Sequence, residues 1–205
     1  MNFAQLDQKM LEKYDFIVID EEIEAAADFV QANKKAILCT NNLHIPSKNE
    51  ANEINGYMVA EKWIRSTDYD KTTYIIGTKL AAQKLLKTHT DNLQLATHVF
   101  ATHDNFDKIM IEYDAKACYV DDRIQLLHNI ADKQLMLCTT PAHENSLSQK
   151  VLALGGSVQF FHKPWPMFYA YLFNLLQTRN ILMIERSKDA ALGAKMNGLD
   201  AIIIG

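Results

Sequence analysis

The amino-acid sequence predicts an α/β protein built on a mostly parallel sheet, and three observations carry that prediction. Short β-rich apolar runs alternate with helical patterns along the chain. Several of these runs are apolar at every position, as expected of strands covered on both faces. The 205 residues are 48% hydrophobic and 22% charged, enough to bury a sizeable core as one compact domain or as a core with a small insert.

The elements follow one another in a regular order. "FIVI" is a buried strand that ends on Asp20, and "IEAAADFVQAN" after it has a helical pattern. "AILCT" is the second strand, closing on Thr40-Asn41-Asn42. "TYIIG", "THVFAT", "ACYV" and "LMLCT" read as further strands, separated by the helical patterns "KLAAQKLLKTH" and "DRIQLLHNIAD". "SLSQKVLAL" is a helix that stops at the turn Gly155-Gly156, and "SVQFF" is the next strand. The aromatic stretch "FFHKPWPMFYAYLF" opens a helix whose spacing fits core packing rather than a stacking platform. "ILMI", the helix "SKDAALGAKMNG" and the strand "AIII" close the chain. In a sheet of this kind the ligand site is expected near the carboxyl ends of the strands. The polar region Ser66 to Lys71 and the Gly155-Gly156 turn are the candidate boundaries.

Charge and cysteine usage narrow the function classes. The formal net charge is −4 and Lys and Arg are scattered, so there is no electrostatic footprint for nucleic acid. Cys39, Cys118 and Cys138 each lie inside an apolar run, lack zinc-like spacing and are odd in number, which predicts a reducing, cytoplasmic setting. The start "MNFAQLDQKMLEKYDF" reads as neither a secretory signal nor a membrane span.

The candidate chemistry lies at strand ends. Asp20 stands just past a buried strand, where a carboxylate can attack phosphorus; taken alone, it is better read as an N-cap for "EEIEAAADFV". Thr40, Asn41 and Asn42 offer a hydroxyl and amides for phosphate oxygens, or simply end a strand in a turn. In "HKPWP", Lys163 can stabilise both an aspartate nucleophile and a transferring phosphoryl group. After "ILMI", Glu185 and Asp189 form the type of acidic pair that holds Mg²⁺ through oxygen, or are acids favoured at a helix start. The occurrence of all of these in one order along the chain favours the chemical reading. Asp121 and Asp122 in "CYVDDRIQLLHNI" read as a helix start with an N-cap acid, and the histidines, among them His44, His98, His103, His143 and His162, show no zinc-binding pair.

From "YDFIVID" through "AILCTNN" and "LALGGSVQFFHKPWPMFYAYL" to "NILMIERSKDAALGAKMNGLDAIIIG", the sequence resembles the haloacid dehalogenase (HAD) superfamily, class IIA, near its sugar-phosphatase-like hydrolases. The resemblance is close at the two ends of the chain and loose in the middle. It implies a Rossmann-like HAD core with a parallel sheet, formed by 1–45 and 155–205, and an inserted, reduced α/β cap over 46–154. It further implies that Asp20 is the nucleophile, that Thr40 holds the phosphoryl group with Asn41 and Asn42 beside it, and that Lys163 orients it. Glu22 falls at the general acid–base position, and Asp20, Glu185 and Asp189 are the implied Mg²⁺ ligands.

The sequence also departs from the family pattern. The Asp-x-Asp-Gly and its flap read "DEEIEAAADF", so Glu22 replaces an Asp and the helix is expected almost at once. His162 and Ile184 stand where the family has Gly, Glu185 where it has Asp, and Ala190 where it has a further metal-binding Asp. A cap-region Asn-Pro-Asp becomes Thr140-Pro141-Ala142. Two functions are therefore expected to compete: an Mg²⁺-dependent phosphatase acting on a small phosphorylated metabolite through an aspartyl-phosphate, and a catalytically degenerate descendant that binds a ligand or protein partner without turnover. A homodimer is an open expectation; no nucleic-acid or membrane partner is expected.

Overall fold

The computed structural model describes residues 11–40, 52–77, 79–113, 120–138 and 146–204. They form two compact units, one from Met1–Val59 with His162–Gly205 and the other from Ala60–Phe161.

The first unit is a five-stranded sheet in the order β10-β9-β1-β2-β3, in which every neighbouring pair is parallel. Its strands are β1 (Phe16–Asp20), β2 (Ala36–Thr40), β3 (Glu53–Asn55), β9 (Ile181–Glu185) and β10 (Asp200–Ile203). Helices α1 (Ala26–Ala32), α7 (Pro166–Leu176) and α8 (Lys188–Met196) accompany them. Side chains alternate across a strand, so Ile17 and Ile19 of β1 and Leu182 and Ile184 of β9 share one face with Ile23, Ala26 and Val30. Val18 and Met183, one step out of phase, are just as buried on the opposite face. That two-sided burial is why these runs are apolar throughout.

Strand β1 lies in the middle, with its successor β2 on one side and the much later β9 on the other. The chain therefore changes direction across the sheet between β1 and β9. A crevice opens outside the carboxyl ends of parallel strands at such a point, which is where ligands settle. Asp20 and Glu185, the last residues of β1 and β9, both end there.

Helix α1 does not begin at once. Residues 21–25 form turns: Asp20 Oδ1 accepts the Glu22 N–H at 3.1 Å, the Ile23 N–H reaches the Asp20 carbonyl at 3.2 Å, and Ala25 is left-handed at φ 64°. Asp20 is consequently not the N-cap of α1, a position that Ala25 fills without a side-chain bond. Ile23, an apolar residue drawn into the core, holds this stretch down and delays the helix.

The second unit is also a parallel five-stranded sheet, in the order β5-β4-β6-β7-β8. It comprises β4 (Thr73–Ile76), β5 (His89–Thr90), β6 (His98–Ala101), β7 (Gln134–Leu137) and β8 (Ser157–Phe160), with helices α3 (Lys79–Leu85), α4 (Phe106–Tyr113), α5 (Val120–Ala131) and α6 (Leu147–Ala153). Val99, Ala101, Leu135 and Leu137 from the strands and Ile109, Leu126, Ile130, Leu147 and Val151 from the helices make its core. Asp104, buried after β6, accepts the Ser148 N–H at 2.7 Å, the Ser148 hydroxyl at 2.7 Å and the Ser146 hydroxyl, and so fixes the start of α6. Gly77 ends β4 at φ 93°, where a Cβ would meet the Thr102 hydroxyl at 2.1 Å, so the site admits only glycine.

Several expectations change. The run "SVQFF" forms β8 and pairs with β7 in the second sheet, so the first unit resumes at His162 rather than at 155. Strand β3 pairs with β2, so the unit boundary lies at Val59 rather than at 45. Helix α2 (Gly56–Ser66), which runs across that boundary and fills the polar region's N-terminal edge, was not expected. It opens where the Asn55 side chain accepts the Met58 N–H at 3.1 Å, and it buries Tyr57, Val59, Ala60 and Ile64. Of the expected strand "ACYV" only Val120 is described, and it begins α5, with Asp121 and Asp122 in the first turn. Asn41, Asn42, His44, Cys118, the Thr140-Pro141-Ala142 stretch and His143 lie outside the described residues. No helix among the described residues is long and apolar enough to cross a membrane.

Candidate functional site

The site is assembled from four segments of the first unit. Strand β1 delivers Asp20, β2 delivers Cys39 and Thr40, the loop before α7 delivers Lys163, and β9 delivers Glu185. The parallel register places Asp20 opposite Cys39, so Thr40 stands one step beyond Asp20 on the neighbouring strand. Thr40 is buried at the end of β2.

Lys163 is 5% exposed, and its Nζ donates to Asp20 Oδ2 at 3.0 Å and to Glu185 Oε2 at 2.6 Å. The loop that carries it is held on both sides. The Trp165 N–H bonds the His162 carbonyl at 3.0 Å, and Pro166 occupies the first turn of α7, where its missing N–H costs nothing. From the far side Gly193 of α8 packs so closely on Pro164 that a Cβ would come within 2.4 Å of the Pro164 Cβ. Tyr169 of α7 donates to the Ala190 carbonyl of α8 at 3.2 Å and ties the two helices together.

Burial dominates the electrostatics. It would lower the pKa of the Lys163 ammonium, but the negative groups around it, the Cys39 sulfur once ionised at alkaline pH and the Glu185 and Asp20 carboxylates, outweigh it and hold the group well above its ordinary value. Lys163 is therefore charged. Burial pushes the Glu185 carboxyl up to about 7, with Lys163 opposing and Asp20 adding to the rise. Burial likewise pushes the Cys39 thiol up to about 12, so it is a neutral neighbour at physiological pH. His162, whose ring Nδ1 donates to the Lys163 carbonyl, is pushed down to about 4 by burial and is neutral. One ammonium thus faces two carboxylates, and the group carries no surplus positive charge when Glu185 is ionised.

Two of the expected site residues lie apart from this group. Glu22 is exposed, and its Oε2 pairs with Arg186 Nη1 at 3.1 Å; only its backbone N–H reaches Asp20. Asp189 is exposed in the first turn of α8. Among the described residues no group of three or more Asp, Glu, His or Cys side chains could hold a metal ion, so the expected set of Asp20, Glu185 and Asp189 is not assembled. Mg²⁺ requires near-octahedral oxygen ligation. Here Asp20 Oδ1 and Oδ2 and Glu185 Oε2 all accept hydrogen bonds, leaving Glu185 Oε1 as a buried oxygen without one. One open oxygen does not make that site, and Ala190 supplies no ligand where a second acid was needed. The side-chain donors described here do not fit Mg²⁺.

Two residues of the site were not singled out in the sequence. Cys39 is a neighbour of Lys163 because its register partner is Asp20, a relation that only strand pairing reveals. Arg186 follows Glu185 directly, and its adjacency to a strand-ending acid was the available signal. Conversely, His162 and Ile184 need no glycine-like backbone: neither has positive φ, and Ile184 packs in the core cluster.

No family model matches the sequence, and no curated protein matches it. Solved structures do. A haloacid dehalogenase-like hydrolase from Brucella suis 1330 superimposes with a TM-score of 0.67 at 19% identity, over 96% of this chain and 90% of the other. A mutant of the thermostable p-nitrophenylphosphatase from Bacillus stearothermophilus gives 0.60 at 16% identity, over 93% and 87%. A glycerol phosphate phosphatase from Mycobacterium tuberculosis, in complex with magnesium, gives 0.64 at 13% identity, over 94% and 68%. The chain has the α/β fold of the haloacid dehalogenase-like hydrolases.

Proposed function

We propose that the chain is a phosphatase of the haloacid dehalogenase type with low turnover, acting on a small phosphorylated metabolite through Asp20. The observation that carries this reading is the buried Lys163 ammonium, 3.0 Å from Asp20 Oδ2 at the point where the strand order reverses. The phosphatases among its structural neighbours support it.

Asp20 has the attributes of a positioned nucleophile: the Glu22 N–H and the Lys163 ammonium fix its two oxygens, so the carboxyl group is held and aimed. Its attack forms a bond from carboxylate oxygen to phosphorus and breaks the ester bond to the leaving alcohol. Water then attacks the aspartyl-phosphate, releasing inorganic phosphate and restoring Asp20. Lys163 stabilises charge on the phosphoryl oxygens in both steps, with Thr40 as the adjacent hydroxyl. The weak point is the leaving group. Glu22, at the general acid position, is bound to Arg186, so alkoxide departure lacks a placed proton donor. An aryl oxide, which leaves unprotonated, is therefore turned over faster than an alkyl alcohol.

The assay is hydrolysis of p-nitrophenyl phosphate and an alkyl phosphate by wild type and Asp20→Asn. Slow wild-type turnover that favours the aryl ester and disappears in Asp20→Asn is the expected result. Turnover that survives in the variant would remove Asp20 from the mechanism. A second reading, ligand binding without turnover, is favoured by the scattered acids and by the outward position of Glu22. It prevails if wild type binds phosphate yet hydrolyses neither ester.

A further inference from the structure

We infer that Arg186 is a specificity residue that recognises a second anionic group on the phosphate ester, and that Glu22 occupies this subsite when no ligand is bound. The inference rests on the phosphate-site reading of Asp20 and Lys163. It names the substrate class: a small phosphate ester that also carries a carboxylate.

Arg186 leaves β9 directly after Glu185, and Glu22 lies two residues after Asp20, so each member of the pair is anchored next to a carboxylate held by Lys163. Glu22 is tethered by its own N–H to Asp20 Oδ1 at 3.1 Å. Its carboxylate reaches Arg186 Nη1 at 3.1 Å, and the two side chains are 51% and 59% exposed. The contrast with Lys163 is the core of the argument. The lysine's charge is buried between two acids and fully engaged, whereas the guanidinium, on the residue directly after Glu185, faces solvent. A planar guanidinium matches a carboxylate or phosphate through two parallel hydrogen bonds. An exposed ion pair adds little to stability, so displacing the Glu22 carboxylate costs a ligand no more than a several-fold loss of affinity. Glu22 thus competes with the ligand, and it turns away anions too weakly held to displace it.

Calorimetric titration with 3-phosphoglycerate and glycerol 3-phosphate tests this, because the two probes share a phosphate and a three-carbon chain and differ in a carboxylate against a hydroxymethyl group. Wild type is expected to bind 3-phosphoglycerate about tenfold more tightly, the factor of one charge-assisted hydrogen bond. R186Q should erase the preference, and E22Q should enlarge it several-fold by removing the competitor. Both substitutions are at exposed side chains, and unchanged circular dichroism and thermal midpoints will confirm that the fold is kept. Equal binding of the two probes by wild type, or a preference that persists in R186Q, would overturn the role of Arg186 and leave the phosphate site standing. Unchanged 3-phosphoglycerate affinity in E22Q would overturn the role of Glu22 as occupant. If neither probe nor inorganic phosphate binds, the phosphate-site reading fails and the inference fails with it.

Discussion

Replacing Glu185 by Gln should make the protein relatively more stable as pH rises, although the substitution removes one arm of a buried ion pair. Burial holds the Glu185 carboxyl at about 7 against an ordinary 4.5. Between those values the folded chain keeps a proton that the unfolded chain has already released, so folding takes up protons and stability falls as pH rises. A displacement from 4.5 to about 7, at about 1.4 kcal/mol per unit, amounts to roughly 3 kcal/mol. Lys163 does not distort this window: its pKa is held above the ordinary value, so it is charged in both states until far more alkaline pH. His162 acts in the opposite sense. Pushed down from 6.5 to about 4, it adds stability as pH rises across that interval, and His98, also lowered by burial, works in the same direction. The wild-type curve is therefore flattened by opposing contributions, and the difference between wild type and E185Q isolates Glu185. Urea denaturation from about pH 4 to about pH 8 measures it. The expected outcome is a difference that moves by about 3 kcal/mol in favour of E185Q between roughly pH 4.5 and 7. A difference that moves the other way would show that Lys163 lowers the Glu185 carboxyl more than burial raises it, and parallel curves would show no linkage at all.

Gly193→Ala places a methyl 2.4 Å from the Pro164 Cβ and 2.8 Å from the Pro164 carbonyl oxygen, so α8 must shift off the Lys163 loop. A loss of about 1–3 kcal/mol in denaturant titration is expected, the usual cost of overpacking, together with slower aryl phosphate hydrolysis; unchanged stability would mean that the loop yields freely. Burial raises the thiols of Cys39, to about 12, and of Cys138, well above its ordinary value. Peptide mapping after exposure to an alkylating reagent should therefore find both unmodified in the native protein and modified in urea; rapid native labelling would show an opening that exposes them.

Strands β1, β2 and β9 were legible because two-sided burial leaves an uninterrupted apolar run, a signal that needs no knowledge of neighbours; the run of β10 is apolar too, although that edge strand is only partly buried. The same logic exposed Asp20 and Glu185, since a charged residue directly after such a run must lie at the edge of the sheet. What the runs do not encode is partnership. "SVQFF" reads as a strand that either sheet could take, and only its pairing with β7 decides which one it joins. Helix α2 was hidden by its polar residues Glu61, Lys62 and Arg65, which face outward and break the apolar run while Tyr57, Ala60 and Ile64 keep helical spacing. The directions of Glu22 and Asp189 depend on the backbone turn at Ala25 and on the phase of α8, and neither is set by residue type. Sequence order thus located the strand ends of the site, but not which side chains turn inward.

The first unit's sheet pairs Phe16 of β1 with Ile181 of β9, whereas the second unit is one continuous stretch, Ala60–Phe161. During synthesis the second unit has all its strands before β9 exists. At about 5–20 residues per second, the interval between the emergence of β2 and that of β9 is on the order of ten seconds. Throughout it β1, apolar on both faces, has no neighbour on its β9 side and is open to non-native pairing. Asp20 likewise waits without Lys163 or Glu185. The buried charge group is therefore completed only after β9 has been made and has joined β1.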